Sequence, residues 1–114
     1  MAAADIPETD LARIRAWCAS RVSGDALQQL RVVGDVDGLH VVIAEERSPW
    51  NGDPEAPWES YPVARLTYAP SSRGWKLEVS AEGGRFRKYT ELPSGSLDEL
   101  LDEIDEDPTF VFWG

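Results

Sequence analysis

The sequence predicts an α+β domain in which an antiparallel sheet of about five strands in a meander is flanked by an N-terminal and a C-terminal helix. Apolar residues recur at helical spacing near both ends, and the segments between them alternate apolar and polar residues. Asp37-Gly38 and Gly83-Gly84 interrupt the alternating segments with residues that suit two-residue hairpin turns. The 114 residues suffice for one core. We expect a single domain over residues 1–114, with residues 1–8 as a flexible N-terminus.

The N-terminal helix is predicted from an apolar stripe that follows the start signals Pro7 and Thr9 and stops before Ser23-Gly24-Asp25. Cys18 is the only cysteine, so it cannot form a disulfide within the chain. Its place on the stripe favours a buried thiol over a reactive one. The stripe consists of Leu11, Ile14, Trp17, Cys18 and Val22.

The first hairpin is predicted between Leu30 and Glu46, with Asp37-Gly38 as its turn. This turn places Val32 opposite Ile43 and Gly34 opposite Val41. Alternation then puts the apolar residues on one face. The other face holds Arg31, Asp35, His40 and Glu46.

A third strand is predicted over Pro62 to Tyr68, followed by a second hairpin around Gly83-Gly84. That turn would place Glu82 opposite Arg85 and Glu78 opposite Tyr89, so that opposite charges meet across the strands. Lys88 is a misfit in this register because it points towards the core. The predicted core side chains are Trp75, Leu77, Val79, Ala81, Phe86 and Leu92.

The C-terminal helix is predicted from Leu97 to Asp107, with Ser96 and Glu99 at capping-box spacing. Pro108 ends it and redirects the chain. We expect Phe110 or Phe112, together with Trp113, to insert into the domain or to pair beside an edge strand. The buried stripe of the helix consists of Leu97, Leu100, Leu101 and Ile104.

The net charge of −10 is unevenly distributed. Residues 61–90 contain six basic and two acidic residues, a local charge of +4, and the remainder carries −14. Residues 91–114 contain eight acidic residues and no basic one, which argues against general nucleic-acid binding. No apolar run is long enough to span a membrane, and with one cysteine we expect a cytoplasmic protein. The excess of arginine over lysine is typical of a GC-rich bacterial genome.

The composition also limits catalysis. His40 is the only histidine, so we predict no catalytic residue, no metal and no cofactor. Two alternatives remain: His40 with Asp35 would form a general base, and Glu45-Glu46 would bind a divalent cation or act as acid and base. The structural interpretations are favoured, namely an exposed strand pair for the first and a solvated strand end for the second.

Three surfaces have both functional and structural interpretations. The acidic C-terminal helix either docks on a basic partner or is an ordinary solvated helix face. The basic hairpin with Arg85, Arg87 and Lys88 either holds an anion or single-stranded nucleic acid, or pairs with acidic residues within the chain. The long loop with Trp50 and Trp58 is either functional or anchored by its aromatic side chains.

Several segments of the chain form a distinctive combination: Glu45-Glu46-Arg47-Ser48-Pro49-Trp50, Pro62 to Tyr68, Trp75-Lys76-Leu77, Arg85 with Tyr89, Asp107-Pro108-Thr109 and Phe112-Trp113-Gly114. Together they resemble the bacterial domain-of-unknown-function family 3024, and the resemblance covers nearly the whole chain from Leu11 onward. It implies no activity. Members often carry Tyr-Trp where this chain has Glu78-Val79, and Trp-His-Arg-Tyr at the positions of Phe86-Arg87-Lys88-Tyr89.

Two functions follow as hypotheses. The first is a non-enzymatic protein-interaction or regulatory module that contacts a protein partner through the Trp50 loop and the acidic C-terminal region. The alternative is a protein, an enzyme included, that binds a small anionic ligand or nucleotide on the basic hairpin face. The predicted binding residues are Trp50, Trp58, Arg65, Arg85, Arg87, Tyr89 and Trp113.

Overall fold

The computed structural model describes residues 5–49, 53 and 55–113 and confirms the α+β prediction. Two short 3₁₀ segments, Gly24–Gln28 and Glu82–Gly84, join larger elements. Among the described residues, no helix has the length and apolar character needed to cross a membrane. The larger elements are α1 (Glu8–Ser20), β1 (Leu30–Asp37), β2 (His40–Arg47), β3 (Glu59–Ala69), β4 (Gly74–Ser80), β5 (Phe86–Lys88), β6 (Ser94–Gly95) and α2 (Leu97–Glu106).

The strands form one antiparallel sheet in the order β1-β2-β3-β4-β5, which confirms the meander. The two-residue strand β6 was not predicted and adds a sixth strand. It pairs with β4 on the side that β5 also uses, through Trp75 opposite Gly95 and Lys76 opposite Ser94. One end of β4 therefore pairs with β5 and the other with β6.

The core lies between the two helices and one face of the sheet, with α1 against β1 and α2 against β4. The predicted apolar stripe of α2 is fully buried. In α1, Ile14, Trp17 and Cys18 are buried and Leu11 is partly buried, as is Val22 just after the helix. Within the described part of the chain, no helix covers the opposite face of the sheet.

Gly34 allows α1 to lie close to the first hairpin. A Cβ atom at this position would lie 3.2 Å from Val41 Cγ1 and 3.4 Å from Ile14 Cγ2. A larger residue would push the helix away from the sheet, because close-packed interiors adjust poorly to added volume.

The register of the first hairpin differs from the prediction by two residues. Asp37 pairs with His40, so that Gly38-Leu39 forms the turn and Val32 lies opposite Glu45 rather than Ile43. Among the two turn residues, Gly38 has a positive φ and Leu39 does not, which fits a type II′ turn rather than the expected type I′. A shift of two residues keeps every side chain on the same face of the sheet, so the predicted outer face of the hairpin is confirmed.

The second hairpin is shifted by one residue, and the predicted pairing of Glu78 with Tyr89 is wrong. Glu78 pairs with Lys88, and Ala81 N–H donates to Arg85 O around the three-residue segment Glu82–Gly84. A one-residue shift exchanges the two faces of a strand. Tyr89 therefore enters the core, Lys88 becomes exposed, and Phe86 leaves the predicted core face.

The tail after α2 packs into the domain, as predicted for Phe112 and Trp113. Asp107 adopts the left-handed conformation at the helix end, and its buried carboxylate accepts the N–H groups of Phe112 (3.0 Å) and Trp113 (2.9 Å). Trp113 Nε1 donates to Ile104 O at 2.7 Å. Phe110 points outward and is 74% exposed.

Arg13 of α1 and Arg21, the residue that follows α1, connect the two helices. Arg13 Nε donates to Asp98 at 3.0 Å, and Arg21 forms an ion pair with Asp105. The Arg21 guanidinium also lies 4.4 Å from the centre of the Trp113 ring. These contacts define the helix seam, by which we mean the interface of α1 with α2 and the tail.

Candidate functional site

The open face of the sheet carries polar side chains in two rows that run across neighbouring strands. Residues directly opposite each other on paired strands point to the same face, so each row is a set of lateral neighbours. The first row is His40, Thr67, Lys76 and Ser94, and the second is Val42, Arg65, Glu78 and Lys88.

A cleft of about 490 Å³ opens over these rows, where β5 and β6 meet the same edge of β4. Leu77 N–H donates to Pro93 O at 3.0 Å, and Tyr89 N–H donates to Leu77 O at 3.2 Å. This part of the backbone is therefore already hydrogen-bonded, and side chains provide the chemistry of the cleft. The described lining residues are His40, Thr67, Lys76, Leu77, Glu78, Lys88, Pro93 and Ser94.

An internal ion pair neutralises the acidic residue of the cleft lining. Arg65 donates through Nε and Nη2 to the two carboxylate oxygens of Glu78, both at 2.9 Å, and both side chains are half-buried. The Arg65 guanidinium also lies 4.8 Å from the centre of the Phe86 ring. Because this bidentate geometry holds Glu78, the exposed amines of Lys76 and Lys88 leave the cleft with an excess of positive charge.

His40 lies at the edge of the cleft, but not with the partner that the sequence suggested. Its Nδ1 is 2.7 Å from Thr67 Oγ1, whereas Asp35 lies opposite Val42 on the neighbouring strand. The expected cross-strand pair of His40 with Asp35 is therefore wrong, because the two-residue shift of the first hairpin moves Asp35 along the strand. The hydrogen bond to Thr67 orients the imidazole.

The donor set of the cleft suits an anion. Each lysine ammonium carries three N–H donors, and the Thr67 and Ser94 hydroxyls can donate as well.

Within residues 5–49, 53 and 55–113, no three His, Cys, Asp or Glu side chains are grouped as a metal would require. The Glu45 and Glu46 carboxylates accept hydrogen bonds from Arg47 and Arg31, respectively.

The predicted basic hairpin face is divided between two sides of the sheet. Arg65 lies beside the cleft, but Arg87 pairs with Val79 and points to the face opposite Lys88. Arg85 is exposed where the Glu82–Gly84 segment ends. Tyr89 is buried, and its hydroxyl donates to Glu103 Oε2 at 2.6 Å. Burial, followed by this hydrogen bond, raises the pKa of Tyr89.

The predicted aromatic binding residues act as anchors where the structure describes them. Trp58 is half-buried, with the Arg31 guanidinium 4.2 Å from its ring centre. The Trp113 ring lies 6.5 Å from that of Trp17 and also faces Arg21. Trp50 falls outside the described residues.

Sequence reasoning missed Thr67, Lys76 and Ser94, and it named Lys88 only as part of the basic hairpin. The misfit of Lys88 was the available signal, since moving the second hairpin by one residue brings this lysine to the outer face beside Glu78. Ser94 gave no comparable signal, because a two-residue strand has no alternation to detect.

Cys18 is expected to be inert and to make stability depend on pH. Burial raises the pKa of its thiol from the ordinary 9.0 to about 11. The unfolded chain therefore loses this proton at lower pH than the folded one. The protonated thiol therefore stabilises the folded chain relative to the unfolded one. Its full contribution to the unfolding free energy is present below pH 9 and is lost as pH rises towards 11. Denaturant titrations across this window should show a steeper decline for the wild type than for Cys18→Ala. Rapid reaction of the native thiol with Ellman's reagent at pH 8 would contradict burial.

Comparison with known families identifies the chain. It belongs to the domain of unknown function family DUF3024, whose match covers residues 1–114. Neither the curated proteins nor the solved structures gave a match. Family membership is therefore established without an activity attached to it.

Proposed function

We propose that this DUF3024 protein binds a small anionic ligand in the cleft on the open face of the sheet. The proposal rests mainly on one observation: Lys76 and Lys88 line a concave site in which the carboxylate of Glu78 is held by Arg65. This arrangement leaves two ammonium groups for a ligand. It corresponds to the alternative function that the sequence suggested, with a different set of residues.

The size of the cleft and the charge of the protein support a small ligand. A volume of about 490 Å³ lies within the range of roughly 300 to 1,000 Å³ that is typical of small-molecule sites. The net charge of −10 would repel an extended polyanion, whereas a small anion would experience mainly the local positive field. The ligand class is therefore a metabolite with a phosphate or carboxylate group.

The cleft offers distinct positions to such a ligand. Lys76 and Lys88 would contact the anionic group from β4 and β5. Thr67 and Ser94 add hydroxyl groups, and Pro93 gives one wall an apolar surface. Arg65 acts through Glu78, since it keeps this carboxylate from pairing with the lysines. It is a positioning residue.

Replacing Lys88 by Gln is expected to weaken anion binding about tenfold or more, because hydrogen bonds to charged groups contribute about 1.5 to 3 kcal/mol. Isothermal titration calorimetry at low ionic strength would measure the affinity, with inorganic phosphate and pyrophosphate as probes. Low salt is needed because screening weakens exposed charges. The melting temperature should stay nearly constant, since exposed ion pairs contribute only about 0 to 1 kcal/mol.

Arg87→Gln is the matched control. Arg87 adjoins Lys88 on β5, is also exposed and loses the same charge, but its side chain points to the opposite face. The anion affinity of the Arg87→Gln variant should remain within about twofold of that of the wild type. This difference is well below the roughly 1.4 kcal/mol that corresponds to a tenfold change. Equal losses in both variants would indicate a general charge effect and would reject the cleft. Absence of any binding to the wild type would reject the proposed function.

The protein-interaction hypothesis has less support. Asp98 and Asp105 of α2 pair with Arg13 and Arg21, respectively, and Trp113 packs against the domain. The exposed residues that remain for a partner in this region include Asp102, Glu106 and Phe110. Charged helix faces of this kind are ordinary solvated surfaces.

A further inference from the structure

The outer edge of β1 differs from the other edge of the sheet. Strand β1 has eight residues and, within the described part of the chain, pairs with β2 alone. The opposite edge consists of the three residues of β5 and the two of β6. An antiparallel strand directs about half of its N–H and C=O groups away from its partner, so β1 presents backbone groups along its free edge.

The outer edge of β1 carries only some of the features that block strand pairing. Natural edge strands are commonly blocked by charged side chains, especially lysine, and by proline, bulges or short length. Strand β1 contains no proline and no lysine, its pairing with β2 is regular over all eight positions, and its charged residues, Arg31, Asp35 and Asp37, are of both signs. Val36 on this strand is a large apolar residue that is 45% exposed.

We propose that two copies of this chain associate through their β1 strands, which pair antiparallel about a two-fold axis at Val33 and join the two sheets into one. This register places Val33 opposite its own copy and Leu30 opposite Val36, so that apolar residues meet. It also places Arg31 opposite Asp35 of the second copy, and the symmetry repeats this pair. The second copy is favoured over another partner because the strand is complementary to itself.

The neighbouring register about Gly34 is less complementary. It would place Val33 opposite Asp35 and Arg31 opposite Asp37. Such a register pairs a carboxylate with an apolar side chain twice in each dimer, whereas the axis at Val33 avoids this mismatch. The two registers therefore predict different charge partners for Arg31, and charge substitutions can separate them.

Arg31 is suitably placed for a contact between two copies. Its Nε donates to Glu46 at 2.6 Å, and its guanidinium stacks over Trp58 at 4.2 Å. These contacts restrict the long side chain, while the guanidinium has further N–H donors. A restrained arginine loses less conformational entropy when it forms a new ion pair.

Sedimentation equilibrium of the full chain, from micromolar to high micromolar concentration, tests the proposal. The wild type should show a monomer–dimer equilibrium. In the Asp35→Arg variant the new arginine faces Arg31 of the other copy at two symmetry-related positions. The dimer dissociation constant should rise about a hundredfold, because facing like charges cost several kcal/mol. Asp37→Arg is the matched control, since this position faces no charged residue in the proposed register, and its dissociation constant should remain near that of the wild type.

A charge exchange completes the test. The double variant Arg31→Asp with Asp35→Arg should recover much of the lost dimer affinity, because each copy again presents opposite charges to the other. Recovery should be incomplete, since the new carboxylate at position 31 lies opposite Glu46 of its own chain. Circular dichroism and the melting temperature of each variant would show that the fold persists. A wild type that stays monomeric over the whole range would overturn the proposal. A dimer that Asp35→Arg leaves unchanged would also overturn it, since association would then use another surface.

Discussion

Truncation after Thr109 is expected to remove most of the stability of the domain. Phe112 is buried in the core, and Trp113 hydrogen-bonds to Ile104 O while its ring faces Trp17. Replacing one buried Phe or Trp by Ala costs about 3 to 5 kcal/mol, and a whole domain possesses only about 5 to 15 kcal/mol. Chemical denaturation monitored by circular dichroism should show a greatly lowered midpoint or a chain that no longer folds.

Single substitutions would show which residues of the tail provide this stability. Phe112→Ala should lose a large part of the stability, whereas Phe110→Ala, at a position 74% exposed, should change it by about 0.5 kcal/mol or less. Asp107→Ala would leave two N–H groups without their acceptor and strain the left-handed backbone, while Asp107→Asn should be milder. A truncated chain with the midpoint of the full chain would show that the tail is dispensable.

Trp75→Ala is expected to cause the second large loss, of about 3 to 5 kcal/mol. Trp75 is 1% exposed, and its ring centre lies 5.3 Å from that of Tyr68. Its Nε1 donates to Asp10 Oδ2 at 3.0 Å and so connects β4 with the first turn of α1. Equilibrium denaturation in urea would measure the change in unfolding free energy.

Two further variants separate packing from the hydrogen bond. Asp10→Ala removes only the acceptor and should cost about 1 to 3 kcal/mol, because it leaves the buried N–H group of Trp75 without a partner. Trp58→Ala removes a half-buried tryptophan that stacks with Arg31, so its loss should be clearly smaller than that of Trp75→Ala. Equal losses for the two tryptophans would contradict the burial on which this ranking depends.

The elements that the sequence predicted best depend on short-range interactions. Ser96 accepts from Glu99 N–H, and Glu99 accepts from Ser96 N–H, as the spacing indicated. The apolar stripes of both helices were identified because residues three and four apart share a helix face. The alternation in the first hairpin likewise identified its outer face, even though its register was displaced.

The register of the second hairpin could not be obtained from local sequence. Gly83-Gly84 suits a two-residue turn, but the three-residue segment Glu82–Gly84 is also compatible with flanking alternation. Distant contacts favour the longer one: Tyr89 reaches Glu103 on α2, and its ring lies 4.9 Å from that of Phe112. Burying Tyr89 rather than Lys88 avoids desolvating a charge.

The candidate site was correspondingly hard to predict. Each of its two rows of side chains depends on three registers at once, and Ser94 reaches the cleft only because β6 pairs with Lys76 and Trp75. The sequence did indicate the positive charge of residues 61–90. The prediction placed the anion on Arg65, Arg85 and Arg87, with Lys88 on the same basic hairpin. The one-residue shift moves Arg87 to the other face of the sheet and brings Lys88 to the cleft.

The helix seam has a consequence for the order in which the chain folds. Strands β1 to β4 are consecutive hairpin neighbours, so their contacts require only short segments to close. Contacts across the seam, such as Arg13 with Asp98, join residues 85 positions apart. Closing so long a segment costs entropy before any contact compensates for it, and non-local contacts slow folding. We therefore expect the meander to form ahead of the seam, with closure of the seam as the late step that completes the core.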